Sequence, residues 1–236
     1  MRTSLGIFVE KKQSTSTCCY CIIETAKVGR LGLTNLSQDC AIQLWGGKGI
    51  DKVTSIPSRN GEIQGFYCFF PTVLSDHSEE GWNHEATVEQ LLAPYPKLDP
   101  NIIALLRNST GIRPWRLFVH EPYPYWQKGR ACILGDAAHP MMPDQAQGSC
   151  QAIEDAAALG IIFGPKYSYT NEINAGLKLY EKIRKPRASK VQAASARARE
   201  NAKERIGFTS KKPDTTDTLE GKLTAEEINE YVCQHH

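Results

Sequence analysis

One segment constrains this chain more than any other. Residues 129–160 read GRACILGDAAHPMMPDQAQGSCQAIEDAAALG. Arg130 to Leu134 predicts a short apolar strand, ended by Gly135-Asp136. A loop rich in Pro and Ala follows as far as Gly148. Ser149 to Ile162 then predicts a helix, with Ala152, Ile153, Ala156, Leu159 and Ile162 as its apolar stripe. Strand, tight loop and helix in succession form the local geometry of a nucleotide or cofactor site in a doubly wound fold. The strand delivers Asp136 to the end of a sheet. Ala137 and Ala138 are small enough for a ligand to come close, and Pro140 and Pro143 stiffen the loop. Gln147-Gly148-Ser149 opens the helix, so backbone N–H groups and the positive end of the helix dipole face whatever lies in front. Such a site suits a hydroxyl-rich chain joined to a ring that gains negative charge. Taken alone, an Asp after a strand is more often a turn or a helix cap.

The first half predicts a mostly antiparallel sheet. Residues 1–17 are polar and unpatterned, which predicts a frayed start. Residues 18–24 (CCYCIIE) and 41–45 (AIQLW) are strand candidates, and a glycine turn cluster, GGKG, occupies 46–49. Val53–Pro57 and Ile63–Phe70 flank Ser58-Arg59-Asn60-Gly61, and Asn-Gly between two apolar runs is a strong hairpin signal. Residues 75–84 form a polar loop. Short helices are expected at Ala86–Ala93 and at Pro100–Arg107, the latter with Asp99 as cap and Pro100 at its first position. Ile112–His120 returns to strand, and EPYPYW makes a proline-rich turn. A long helix over about 171–206 is expected to kink or break at Pro186. Residues 208–220 have linker composition, and Thr224 with Glu227 forms a capping box for a last short helix.

Composition excludes several classes. The longest apolar stretch, Ala156 to Phe163, is far short of the ~20 residues of a membrane span. The apolar run in MRTSLGIFVEKK is too short for a secretory core, so a cytoplasmic location is expected. The eight cysteines (Cys18, Cys19, Cys21, Cys40, Cys68, Cys132, Cys150 and Cys233) follow no secreted framework. Cys18 and Cys21 make a lone CxxC, but no second ligand pair supports zinc, and packing thiols in a strand are expected. No metal site is predicted. The sequence contains no G-x-G-x-x-G, P-loop, HExxH, G-x-S-x-G or EF-hand motif. Residues 171–212 carry twelve Lys or Arg against four Glu, which fits a solvated helical face better than a nucleic-acid surface.

The patterned segment resembles the GD motif of the FAD-dependent monooxygenases that hydroxylate aromatic and related substrates. It is most similar to the salicylate hydroxylase-like branch, which includes enzymes of fungal secondary metabolism. The matching positions are Gly129-Arg130, Gly135-Asp136-Ala137-Ala138-His139, Pro143, Gln147-Gly148 and Ala152-Ile153-Glu154-Asp155-Ala156. Upstream, Trp45-Gly46-Gly47 and the hairpin are similar to the family's substrate-domain sheet. Downstream, Tyr180 to Ser195 is similar to its Tyr-x-x-x-Arg-x-Pro-Arg helix. Ser149-Cys150 and Ala146 depart from the family's frequent Ala-Asn and Gly.

The resemblance implies an α+β fold, a remnant of an α/β one. An antiparallel substrate-domain sheet (1–112) would precede the C-terminal part of an FAD-binding domain (113–165), a long helix (166–207) and a linker with a terminal helix (208–236). The N-terminal Rossmann unit is absent from this reading, and the chain looks like a C-terminal half. FAD is the implied cofactor, held by Asp136 at the ribityl hydroxyls, by Pro143 and Gln147 along the ring, and by Gly148 and Ser149 at its pyrimidine edge. NADH or NADPH is the implied reductant. Dioxygen would supply the oxygen atom transferred to an aromatic or polyketide- or terpenoid-like small molecule. No catalytic acid or base is assigned. Glu154 and Asp155 are expected to anchor loop and helix, with Arg184 and Arg187 pairing with acidic side chains to dock the long helix. His139 is expected only to hold the loop. Trp45, Tyr67 and Phe69 are expected to divide between substrate pocket and core. Two other readings compete: a non-catalytic relative acting as a binding or accessory protein, and a basic-helix interaction module. Neither a nucleic-acid nor a membrane partner is expected, and the oligomeric state is open. A substrate sheet without its partner layer should also expose apolar surface and be marginally stable.

Overall fold

The computed structural model describes residues 2–9, 12–38, 41–46, 51–74, 85–167 and 169–199. The elements run α1 (Arg2–Leu5), β1 (Lys12–Glu24), α2 (Thr25–Arg30), β2 (Gln43–Gly46), β3 (Lys52–Ser58), β4 (Ile63–Pro71) and α3 (Val88–Leu92). They continue with α4 (Pro100–Arg107), β5 (Thr110–Val119), β6 (Gln127–Lys128), β7 (Ala131–Cys132), α5 (Gly148–Ile162) and α6 (Ile173–Ala198). The glycine cluster beyond Gly46, the polar loop 75–84, Cys40, Cys233, the linker and the terminal helix lie outside the described residues. The chain forms two compact units, one of residues 13–117 and one of residues 1–12 with 118–236.

The 13–117 unit is a five-stranded sheet in the order β2-β3-β4-β1-β5. The β1/β4, β2/β3 and β3/β4 pairs are antiparallel. The β3–β4 hairpin turns where Arg59, Asn60 and Gly61 all take positive φ, the conformation that the Asn-Gly pair favours. Alternation along the strands separates two faces. One carries Cys19, Cys21, Ile23, Val53, Phe66, Cys68 and Phe70, buried with Leu91, Leu105 and Leu106 of the helices in one core. The helices start as their sequences dictate. Thr87 and Gln90 form a reciprocal capping box on α3, and Asp99 caps α4 ahead of Pro100. Cys18 and Cys21 lie an odd number of residues apart and so point to opposite faces, which rules out the CxxC as a chelating pair. Among the described residues no cluster of His, Cys, Asp or Glu could hold a metal.

The frayed start is not observed. Lys12–Thr17 belongs to β1, with Ser16 opposite Pro71 and Thr17 opposite Phe70. A Ser/Thr run carries no apolar alternation, yet its backbone completes the ladder and Thr72 Oγ1 donates to the Ser14 carbonyl at 2.9 Å. The earlier residues are also ordered: Leu5 and Ile7 are buried with Tyr123, Trp126 and Ile133 in the core of the second unit.

Two helix expectations are met only in part. α6 starts at Ile173 and runs unbroken through Pro186 to Ala198. Pro186 and Lys182 are both exposed, so the carbonyl that the proline leaves without its helical donor reaches water. In α5 the expected apolar stripe divides. Ile162 is buried and Ala152 and Leu159 are half-buried, but Ile153 is 70% exposed and Ala156 is exposed, while the polar Gln151 and Asp155 are buried. The inward polar side chains have partners on α6, and these partners decide which face turns inward.

Candidate functional site: a carboxylate beside an open helix mouth

The site lies in the second unit. From β7 the chain runs extended through Ile133 and Leu134 into a 3-10 turn, Gly135–Ala137. Gly135 takes φ +55°, and a Cβ there would meet the Ala152 Cβ at 3.4 Å. A side chain would therefore be strained by the backbone and crowded by α5. The Gly135 carbonyl accepts the N–H groups of Ala138 (2.8 Å) and His139 (2.9 Å), closing the turn. This leaves Asp136 and Ala137 exposed, with Ala138 and His139 buried behind them.

The loop returns through a second 3-10 turn, Pro143–Gln145, and through Ala146 at φ +55°. α5 begins at Gly148. Its cap residue, Gln147, provides no side-chain cap, so the first N–H groups of the helix have no side-chain acceptor there. A Cβ at Gly148 would lie 3.9 Å from Asp136 Oδ1 and 3.8 Å from Met141 Cγ, with nothing nearer. The carboxylate and the helix mouth are thus neighbours, and a Cβ at Gly148 would make ordinary van der Waals contact with Asp136 and Met141. Pro143, Gln147 and Gly148 are half-buried and Ser149 is exposed along the same rim.

A buried ionic network holds this arrangement. Asp155 Oδ2 accepts the Gly135 N–H at 2.9 Å and pairs with His139 Nε2 at 2.6 Å, while Oδ1 accepts Arg184 Nε at 2.9 Å. Arg184 also donates to the Gln151 side chain at 2.9 Å and to Glu154. Arg187 grips Glu154 with two bonds, at 2.7 and 2.8 Å. Burial by itself raises the Asp155 pKa. The His139 bond, the Gly135 N–H and Arg184 more than offset it and hold the carboxyl below its usual range. Glu154 follows the same pattern, with burial opposed by Arg187 and Arg184. The His139 ring lies 5.2 Å from that of Trp126. Glu181 accepts the N–H groups of Trp126 and Gln127, tying α6 to β6. Arg184 and Arg187 therefore dock α6 through Glu154 and Asp155. The contributions of Gln151, and of Leu5 and Ile7 behind Trp126, have no signature in the sequence.

The uncapped helix start and the exposed carboxylate beside it have the donor and acceptor chemistry that a flavin would need. A carboxylate can take ribityl hydroxyls, and N–H donors can face a ring edge that becomes anionic. Residues 1–195 match the FAD binding domain family. The chain belongs to that family. It is 31% identical over 156 residues to FAD-dependent monooxygenase atnJ of Arthrinium sp, a match covering 66% of this chain and 36% of that protein. It is 40% identical over 106 residues to 6-hydroxynicotinate 3-monooxygenase of Bordetella bronchiseptica, covering 45% of this chain and 27% of that one. Among solved structures, a salicylate hydroxylase substrate complex superposes with a TM-score of 0.69 at 26% identity, covering 84% of this chain and 50% of that one. The chain thus spans about a third of the curated relatives it matches. The mixed fold, helices with an antiparallel sheet, agrees with the expected α+β class. No helix among the described residues is long and apolar enough to cross a membrane.

Proposed function

We propose that this chain supplies the flavin-ring side and the substrate sheet of an FAD-dependent monooxygenase that hydroxylates a small aromatic, polyketide-like or terpenoid-like molecule. The observation that carries this reading is the 3.9 Å separation between Asp136 Oδ1 and the Cβ position of Gly148. Asp136 would accept from ribityl hydroxyls. Pro143 and Gln147 would flank the ring, and the N–H groups of Gly148 and Ser149 would stabilise negative charge at its edge as preorganised donors. Bound flavin would supply the redox chemistry, taking electrons from NADH or NADPH and using dioxygen to oxidise the substrate. The residues of this chain position the cofactor and exclude water. We assign the 13–117 unit to the substrate sheet and the unit of 1–12 with 118–236 to the flavin-binding part, which α6 braces.

Titration of the purified protein with FAD, followed by absorbance and flavin fluorescence, tests the reading. Binding should be saturable and should weaken at least about tenfold in Asp136→Ala. A colourless protein that takes up no FAD would refute it. Flavin-dependent NADPH oxidation by the FAD-loaded protein tests turnover.

A further inference from the structure

In the second unit α5 and α6 run antiparallel. Phe163, at the end of α5, lies against Gly176 near the start of α6, and Glu154 and Asp155 meet Arg187 and Arg184 further along. The outward sides of the two helices differ in character. On α5, Ile153 and Ile161 are exposed, with the small Ala157 and Gly160 exposed between them. On α6, Lys178, Lys182, Lys190 and Arg197 are exposed at spacings of four, eight and seven residues, which aligns them along one face for about 28 Å. Ile183 is exposed one turn from Arg187, which grips Glu154, so it stands at the seam where the two faces join. Just past α5, the exposed Tyr167 ring lies 5.4 Å from the Lys166 ammonium.

The charge of this surface has nearly one sign, because the acidic side chains of the two helices are engaged inward. Asp155 is buried, Glu154 is held by Arg184 and Arg187, and Glu181 accepts the N–H groups of Trp126 and Gln127. Glu172, at the cap of α6, is the exposed carboxylate that remains among the described residues of the pair. Exposed isoleucines beside a row of cations set two requirements at once. A nucleic acid would neutralise the cations and leave the isoleucines in water. A second copy would cover the isoleucines and bring a like-charged helix with it. An anionic lipid surface meets both. Isoleucines enter the boundary of headgroups and acyl chains, a tyrosine sits at headgroup level, and lysine stems lie along the apolar surface with their ammonium groups at the phosphates.

We infer that the outward surface of α5 and α6 docks on a bilayer containing anionic phospholipid, with Ile153, Ile161 and Ile183 at the acyl boundary and Lys178 and Lys182 at the phosphates. The contact is peripheral: no helix among the described residues is long and apolar enough to cross a membrane. The two faces become neighbours only in the fold, so the sequence alone shows no membrane partner. The inference stands apart from the flavin reading, because none of these side chains belongs to the Asp136–Gly148 site.

The test is flotation of the full chain with lipid vesicles. Phosphatidylcholine vesicles with about 30% phosphatidylserine should carry the protein upward, and pure phosphatidylcholine vesicles should bind it at least about tenfold more weakly. Lys178→Glu with Lys182→Glu should weaken binding to the anionic vesicles at least about tenfold, while Lys178→Arg with Lys182→Arg should keep it. Ile161→Ser with Ile183→Ser should weaken it about fivefold and leave the far-UV spectrum unchanged, since both side chains are exposed. Failure to float with anionic vesicles, or equal binding to both kinds, would overturn the inference. So would vesicle binding that duplex DNA abolishes and the isoleucine pair does not alter, which assigns the surface to a polyanion. FAD titration of the same variants should match wild type, so loss of vesicle binding and loss of flavin binding are read separately.

Discussion

At the scale of single residues, two positions in the loop between β7 and α5 make opposite statements about backbone strain. Gly135 occupies the left-handed region without penalty and is held there by Asp155. Ala146 occupies the same region with a Cβ. A left-handed alanine is disfavoured by about 1 kcal/mol, partly offset by the larger unfolded-state entropy of glycine. Ala146→Gly should therefore raise the urea midpoint slightly. Asp155 supports a second prediction. Its folded pKa is depressed, so its contribution to stability is present above the ordinary carboxylate pKa, about 3.9, and is lost as pH falls through the folded value. Urea midpoints measured between pH 3 and pH 7 should fall steeply at the acid end for wild type. They should change less in Asp155→Asn, which starts lower and has no proton to take up at that position.

At the scale of elements, α5 and α6 are joined through charges that differ in burial, and burial decides their worth. Removing Arg184 leaves Asp155 buried without its guanidinium, so Arg184→Met should lower stability by about 3–5 kcal/mol. Arg187 meets Glu154 nearer the surface, and Arg187→Met should cost within about 1 kcal/mol. Equal losses in chemical denaturation would contradict this account. The same pair of helices shows what could be read from the chain. The β3–β4 hairpin and α4 were legible because their signals are local, Asn60-Gly61 in one and Asp99-Pro100 in the other. The strand–loop–helix around Asp136 was legible for the same reason. The inward face of α5 was not, because Gln151 and Asp155 turn inward only to meet Arg184, distant in sequence. Nor was the polar half of β1, where the ladder to β4 supplies what side-chain alternation does not. The expected break at Pro186 does not occur, because a solvent-facing carbonyl tolerates the loss of its donor. Pro186→Ala should still stabilise α6, by up to about 3 kcal/mol in the same denaturation assay.

At the scale of the whole molecule, the distribution of apolar surface follows from these local choices. With Gln151 and Asp155 turned inward, the other side of α5 presents Ile153, Ala156, Ala157, Gly160 and Ile161 to solvent, and Ile153 and Ile161 are 70% and 59% exposed. Monomeric proteins seldom leave large apolar side chains grouped on one exposed helix face, and a contiguous patch of this kind marks an interface or an aggregation liability. At the sheet's edge, β5 is protected differently: Arg113 and Arg116 add charge along it, and Pro114 removes a backbone donor. Self-association should therefore run through α5 rather than through strand addition at β5. On heating, wild type should scatter light at a temperature that falls as protein concentration rises. Replacing Ile153→Glu together with Ile161→Lys should raise that onset without altering the far-UV spectrum, because neither side chain belongs to a core. A charge placed on β5 instead, Phe118→Lys, should leave the onset where it was. If the β5 substitution suppresses scattering and the α5 pair does not, the exposed helix face is not the route of association.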